Sequence, residues 1–175
     1  MDKVLKSILI NTPREIKQAG LRYMYENPSK IDALIEMSFS DSQPMAWRSA
    51  WVLADLVKTD KQVREKVQFL SSKIIQSFSV FNSAGQIREF LKILQLLEVG
   101  EKDMGYLLDM CFKWLLDRKV DQSFRVHSMQ IIFDYAKKEP DLLPELKAIL
   151  EQEMEYANPG FKSRGRKILK EIEQN

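Results

Sequence analysis

Cys111 and His127 are the residues that could supply thiol or imidazole chemistry, because the chain has one cysteine and one histidine. A nucleophilic cysteine needs a base within hydrogen-bond reach and a third group that orients the base. Cys111 instead continues the apolar stripe of Met104, Leu107 and Leu115 at helical spacing, which predicts a core thiol. We expect His127 on a partly exposed helix face. One cysteine and one histidine do not complete a four-ligand zinc site, so we predict no metal.

Carboxylates and glycines add no further catalytic pattern. Glu151, Glu153 and Glu155 alternate along the chain, and alternate residues of a helix lie about 200° apart, which predicts solvated charge. Gly100 and Gly105 lack the lysine and the spacing of a phosphate-binding loop. We therefore predict a non-catalytic protein without a cofactor. A small enzyme with a pKa-shifted carboxylate in a deep pocket is an alternative, besides the two binding functions described below.

The composition indicates one globular domain over residues 1–175. Hydrophobic residues make up 45% and charged residues 30%, which excludes a disordered chain. Six glycines and six prolines are too few for the turns of an all-β fold. A net charge of +2 lacks the excess typical of nucleic-acid-binding domains. Lys6 interrupts the first apolar stretch, so no secretory signal is recognisable, and with a single cysteine this favours the cytoplasm.

Capping residues and prolines divide the chain into ten predicted helices. Residues 12–15 (Thr-Pro-Arg-Glu) and 83–86 (Ser-Ala-Gly-Gln) have the pattern of capping boxes. The residue before a proline is disfavoured in the α region, so each X-Pro step separates two helices. The predicted helices are 2–9, 13–26, 29–39, 44–58, 61–79, 84–98, 102–117, 121–138, 141–156 and 160–173.

A weak internal repeat relates these helices. Five of them begin with a large apolar residue followed by a base, at steps of 31, 40, 37 and 37 residues. The five pairs are Ile16-Lys17, Trp47-Arg48, Ile87-Arg88, Phe124-Arg125 and Phe161-Lys162. Such a step corresponds to a two-helix unit, and stacked units bury the apolar stripe that one hairpin leaves open.

The stretch 41–56 resembles the second helix of a HEAT repeat. Asp41 stands in the preceding turn, Arg48 follows seven residues later, and alanine and leucine then recur at helical spacing. Looser copies pair Asp117 with Arg125 and Glu155 with Lys162. The resemblance to this armadillo-like class covers most of the chain. It implies an all-α fold, a right-handed α-α superhelix of about five stacked helical hairpins.

The repeated bases allow two interpretations. In the first, each base pairs with the acid of the preceding turn, as Asp41 could with Arg48 and Asp117 with Arg125. In the second, the bases follow a nucleic-acid backbone, as in the DNA-alkylation-repeat glycosylases, which have a similar general fold. We favour local pairing, because a paired base has little charge left for phosphate. Arg88 has no acid upstream, so we expect its charge reversal to weaken partner binding without lowering thermal stability.

The predicted function is a non-catalytic scaffold whose concave second-helix surface binds a protein or peptide. Its candidate contacts are Arg22, Arg48, Arg88, Lys92 and Arg125, with Trp47 or Trp51 as an anchor where exposed. The helix around these tryptophans is apolar nearly all round, so we expect both to be buried. The alternative is a nucleic-acid-binding module related to those glycosylases, whose binding would fall steeply as salt rises.

Bases of the last predicted helix form a separate C-terminal patch. They are Lys162, Arg166, Lys167 and Lys170. Clustered cations suit a phosphate or an acidic partner. We favour the solvated face of a capping helix, because two glutamates, at 171 and 173, interrupt the patch.

Overall fold

The regular structure of the chain is helical, as predicted. A computed structural model describes residues 3–10 and 13–174, with the backbone alone for 13–16, and no strand occurs in that part. Its α-helices are α1 (Lys3–Ile10), α2 (Pro13–Glu26), α3 (Ile31–Ser38), α4 (Met45–Thr59), α5 (Lys61–Gln68), α6 (Ser71–Ser77), α7 (Ala84–Leu94), α8 (Glu101–Leu116), α9 (Gln122–Ala136), α10 (Leu143–Met154) and α11 (Pro159–Glu173). None of these helices combines the length and the apolar character needed to cross a membrane.

Local capping determines where several helices begin. The Ser83 hydroxyl accepts a hydrogen bond from the Gln86 amide at 3.4 Å, which confirms the cap predicted at the start of α7. At the start of α11 the Asn158 side chain accepts from the Phe161 amide at 2.9 Å. Each bond satisfies an amide that has no partner within its own helix. Thr12, the hydroxyl of the other predicted box, lies outside the described residues.

In the first of two compact units, residues 1–99, α4 is the central helix. It packs against α1, α2, α3, α5 and α7. Ala46, Ala50, Leu53 and Val57 recur every three or four residues along α4, and all four are fully buried. The alanines let neighbouring helices approach closely, while the larger side chains fill the space between them. The predicted single domain over 1–175 stays a prediction.

In the second unit, residues 100–175, α8 packs on α9, and α9 packs on α10 and α11. Leu107, Cys111 and Leu115 form the buried stripe of α8. Burial raises the pKa of the Cys111 thiol to about 12, against a smaller opposing effect of the nearby Ser128 side chain. A thiol with so high a pKa is not a nucleophile at neutral pH, and the prediction of a core cysteine is confirmed.

The helix predicted over 61–79 is broken into α5 and α6. The Leu70 amide bonds the Val67 carbonyl at 2.9 Å, which tightens the chain into a turn, and the Phe69 side chain there is 88% exposed. Val63, Val67 and Ile74 stay buried on both sides of the break. The apolar spacing therefore continues through the turn, and periodicity alone gives no signal that the helix ends.

Gly20 of α2 tests how tightly the first unit is packed. A Cβ atom at Gly20 would lie 2.8 Å from Cγ2 of Val52, a stiff and fully buried side chain of α4. We expect Gly20→Ala to lower the free energy of unfolding by about 1–2 kcal/mol, because this overlap outweighs the gain in helix propensity. Urea denaturation of the full chain measures the change.

Gly105→Ala is the matched control, because a Cβ at this position of α8 meets no atom within 4 Å. It should raise the free energy of unfolding by about 0.5–1 kcal/mol. Equal stabilisation by the two substitutions would contradict the close approach of α2 to α4.

Candidate interaction surface

The exposed side of α4 carries a row of four residues that we call the tryptophan ridge: Trp47, Trp51, Asp55 and Thr59. Their spacing of four residues places them along one face of the helix. The two indole rings stack, with centroids 6.0 Å apart and planes at 28°. Both tryptophans are partly buried rather than enclosed as we expected. The ridge therefore presents aromatic surface to solvent.

Side chains of α2 and the backbone of α7 contact the ridge. Lys17 Nζ lies 2.7 Å from the Asp55 carboxylate and 5.8 Å from the centroid of the Trp51 ring. On the other side, a Cβ at Gly85 of α7 would lie 3.4 Å from the Trp47 ring, so the indole packs directly over the glycine. Tyr25 of α2 also hydrogen-bonds the Thr59 hydroxyl at 2.8 Å.

Arg48 acts on the end of another helix rather than on Asp41. Its Nη1 donates to the carbonyl oxygens of Leu9 at 2.7 Å and Ile10 at 3.1 Å, the last residues of α1. No amide of α1 donates to these last carbonyls, so they need a donor from elsewhere. The negative end of the helix dipole also favours a cation there. The guanidinium also lies 5.5 Å from the Trp47 ring. The predicted pairing with Asp41 is not formed.

Arg88 is not the unpaired base that we expected. Its Nε donates to the Glu89 carboxylate at 3.0 Å, and Lys92 Nζ lies 2.8 Å from the other oxygen of the same group. The Glu89 side chain is 2% exposed, whereas those of Arg88 and Lys92 are 35% and 39% exposed. The acid follows Arg88 in the sequence, so a search of the preceding turn missed it. A buried carboxylate needs such partners.

Arg125, predicted as a partner contact, lies inside the second unit with 2% of its surface exposed. Its Nε donates to the Leu115 carbonyl near the end of α8 at 3.0 Å. Its Nη2 lies 2.6 Å from the Glu153 carboxylate, and the guanidinium is 4.6 Å from the centroid of the Phe161 ring. Arg125 is therefore enclosed within the unit rather than displayed on its surface, and its acid is Glu153 rather than Asp117.

Glu153 is likewise buried, although we predicted solvated charge. It continues the stripe of Leu146, Ile149 and Leu150 along the buried face of α10. Arg118 binds it with two hydrogen bonds, of 2.9 and 2.8 Å, in addition to the bond from Arg125. Hydrogen bonding from Arg118 lowers the pKa of Glu153; burial acts in the opposite direction, and Arg125 reinforces the lowering. The stripe at 146, 149, 150 and 153 was the sequence signal for this burial.

The remaining predicted site residues do not form one cluster. Arg22 is exposed on α2, but it lies about 140° around the helix from Lys17 and so away from the ridge. His127 is partly buried on α9. The C-terminal patch lies on α11, with Lys162 partly buried and its other three bases exposed. Within the described part of the chain, no group of three His, Cys, Asp or Glu side chains is arranged to hold a metal ion.

Pairs of helices packed through small residues and shared apolar stripes define a helical-repeat protein. The family model for the HEAT repeat domain matches residues 9–172, and the chain belongs to that family. The resemblance seen in residues 41–56 is thereby confirmed. No curated protein and no solved structure shows significant similarity to the chain.

Removal of the Glu153 carboxylate tests the buried ion pair. Glu153→Ala leaves the Arg125 charge buried without a counterion, so the free energy of unfolding should fall by about 3–5 kcal/mol. Glu155→Ala removes an exposed carboxylate two residues away and should change it by less than about 0.5 kcal/mol. Denaturant titration at neutral pH measures both variants, and equal effects would exclude the buried pair.

The same pair predicts a dependence on pH. Because the folded pKa of Glu153 is lowered, its stabilisation is complete above the unfolded pKa and is lost as pH falls through the folded pKa. The stability difference between wild type and Glu153→Ala should therefore shrink between about pH 7 and about pH 3. A difference that stays constant over this range would show that Glu153 is not held ionised by the arginines.

Charge reversal at Arg88 now has a different expected outcome. Arg88→Glu places a second carboxylate beside the buried Glu89, so the melting temperature should fall by several degrees. Arg22→Glu, on an exposed face, should leave it nearly unchanged. Thermal unfolding followed by circular dichroism compares the two variants. An unchanged melting temperature for Arg88→Glu would contradict the pairing of Arg88 with Glu89.

Proposed function

We propose that this HEAT repeat domain is a scaffold that binds a protein or peptide through the tryptophan ridge of α4. The observation that supports this most directly is the stacked and partly exposed pair Trp47 and Trp51. Tryptophan, tyrosine and arginine are enriched among residues that dominate protein–protein binding energy. An apolar or aromatic side chain of the partner would pack against the exposed indole surface.

Fixed geometry supports the proposal further. Trp47 packs over Gly85, and Trp51 lies beside the ion pair of Lys17 with Asp55. Side chains already held in place lose little conformational freedom on binding, which favours affinity. The ridge belongs to α4, which packs against α1, α2, α3, α5 and α7, so its backbone is held in place before a partner arrives.

The partners of the repeated bases favour a protein over a nucleic acid. Lys17 contacts Asp55, Arg48 donates to backbone carbonyls, and Arg88 shares Glu89 with Lys92. Arg125 is buried against Glu153. Four of the five repeated bases therefore already have acceptors within the protein, which argues against an evenly spaced row of cations that follows a phosphate backbone.

Truncation of the ridge tests the proposal. The immobilised full chain should retain a partner protein from an extract of its own cells, and Trp47→Ala with Trp51→Ala should weaken the affinity for the purified partner at least tenfold. Tyr106→Ala is the control, because it removes an aromatic side chain that is 62% exposed on α8. Equal loss in control and ridge variants, with both folded by circular dichroism, would rule out the ridge as the binding surface.

A salt titration of the same complex separates the two function classes. Binding through the indole surface should change little with ionic strength, whereas phosphate contacts give a logarithmic slope of about −0.9 per phosphate neutralised. Isothermal titration at several salt concentrations measures the slope. A steep slope, together with binding to oligonucleotides, would replace the scaffold proposal with the nucleic-acid alternative.

A further inference from the structure

The outer side of α11 carries bases that the fold does not use. One stripe of the helix faces the interior of the second unit. It consists of the buried residues Phe161, Gly165 and Ile168. The opposite side carries Lys162, Arg166, Lys167 and Lys170, the C-terminal patch of the sequence, which we call the cationic face. Arg164 lies apart from this face, because its Nη1 donates to the Gln130 side chain at 2.7 Å.

The cationic face has a regular geometry. Lys162, Arg166 and Lys170 follow one another at intervals of four residues, so they form a row along the helix. Successive members are about 6 Å apart along the axis, and the row spans about 12 Å. Lys167 stands beside the row. An α-helix with carboxylates at the same four-residue interval repeats this spacing and would meet each cation in register.

These bases have no internal acceptor in the described part of the chain, unlike the two arginines of the second unit that share Glu153. Among residues 3–10 and 17–174, whose side chains the structure describes, none makes an ion pair with the side chains of the cationic face. Arg118 and Arg125, in contrast, share Glu153, and Lys137 lies 4.0 Å from Glu171. The charge of the cationic face is therefore available to a ligand.

The charge of the surrounding unit restricts the size of that ligand. Residues 100–160 contain eight Lys or Arg and twelve Asp or Glu, whereas residues 161–174 contain five Lys or Arg and two Glu. A long polyanion that extends beyond α11 would meet the acidic remainder of the unit. A short acidic segment confined to one helix face would not, so the charge distribution favours a peptide over a nucleic acid.

We propose that the cationic face of α11 binds an acidic helical segment of a partner protein, through carboxylates spaced four residues apart. This site is separate from the tryptophan ridge and does not depend on it. Because each contact is an exposed ion pair, the binding is weak and depends on ionic strength. It would therefore add to an interaction that a partner makes elsewhere, or direct the partner's approach.

The test uses the full chain and a labelled alanine-rich peptide of about 16 residues with glutamates at positions i, i+4 and i+8. Fluorescence anisotropy at about 50 mM salt should show binding to this peptide and none to a version with glutamine at those positions. Replacing Lys162, Arg166 and Lys170 together with glutamine should weaken binding at least tenfold. Lys102, Lys119 and Lys138, replaced together, remove the same charge from the same unit and should change it less than about twofold.

Two further arms keep the outcomes distinct. Trp51→Ala should leave the affinity for the peptide unchanged, so failure of the ridge proposal and failure of this one are separable. The proposal is overturned by equal binding of the glutamate and glutamine peptides, by equal loss in the two triple variants, or by no binding at all. Tighter binding of a DNA duplex, lost in the α11 variant alone, would overturn it in favour of a nucleic-acid site.

Discussion

In both units, helix packing is tied to satisfying the carbonyl oxygens at the ends of helices. These groups have no partner within their own helix, and leaving them unpaired in the interior would be costly. Long polar side chains from other helices donate to them. The donors are Arg48 to α1, Gln86 to the end of α3, Arg64 to α4 and Arg125 to α8. Each such bond fixes one helix end against the face of another helix, and therefore fixes how the two can pack.

This constraint accounts for the arginines at two of the five repeated positions, Arg48 and Arg125. A guanidinium has five donors in a planar fork, so one side chain can satisfy a carbonyl, a carboxylate and an aromatic face together. Arg125 does all three, with Leu115, Glu153 and Phe161. Lysine, with one compact ammonium group, could not take the same place. Four of the five repeated bases are thus structural residues first, and the repeat of positive charge alone is an unreliable guide to ligand binding.

Helix class, capping and the HEAT resemblance could be predicted from the sequence because they depend on local spacing. The partners of charged side chains could not, because they lie far apart in the chain: Arg125 and Glu153 are separated by 28 residues, and Arg48 and Leu9 by 39. The burial of Glu153 was nonetheless signalled by the apolar stripe of α10, since any residue at that position must enter the core. The division between α5 and α6 had no such signal.

When the charged side chains that pair within the protein are set aside, the charge left on the surface is distributed differently from what the net charge of +2 suggests. In the first unit, the cations around the α4 ridge are largely neutralised, so the indole rings of Trp47 and Trp51 determine what that surface can bind. In the second unit, two arginines share the buried Glu153, while the bases of α11 keep their charge. The two surfaces therefore offer different chemistry, one apolar and insensitive to salt, the other electrostatic and easily screened.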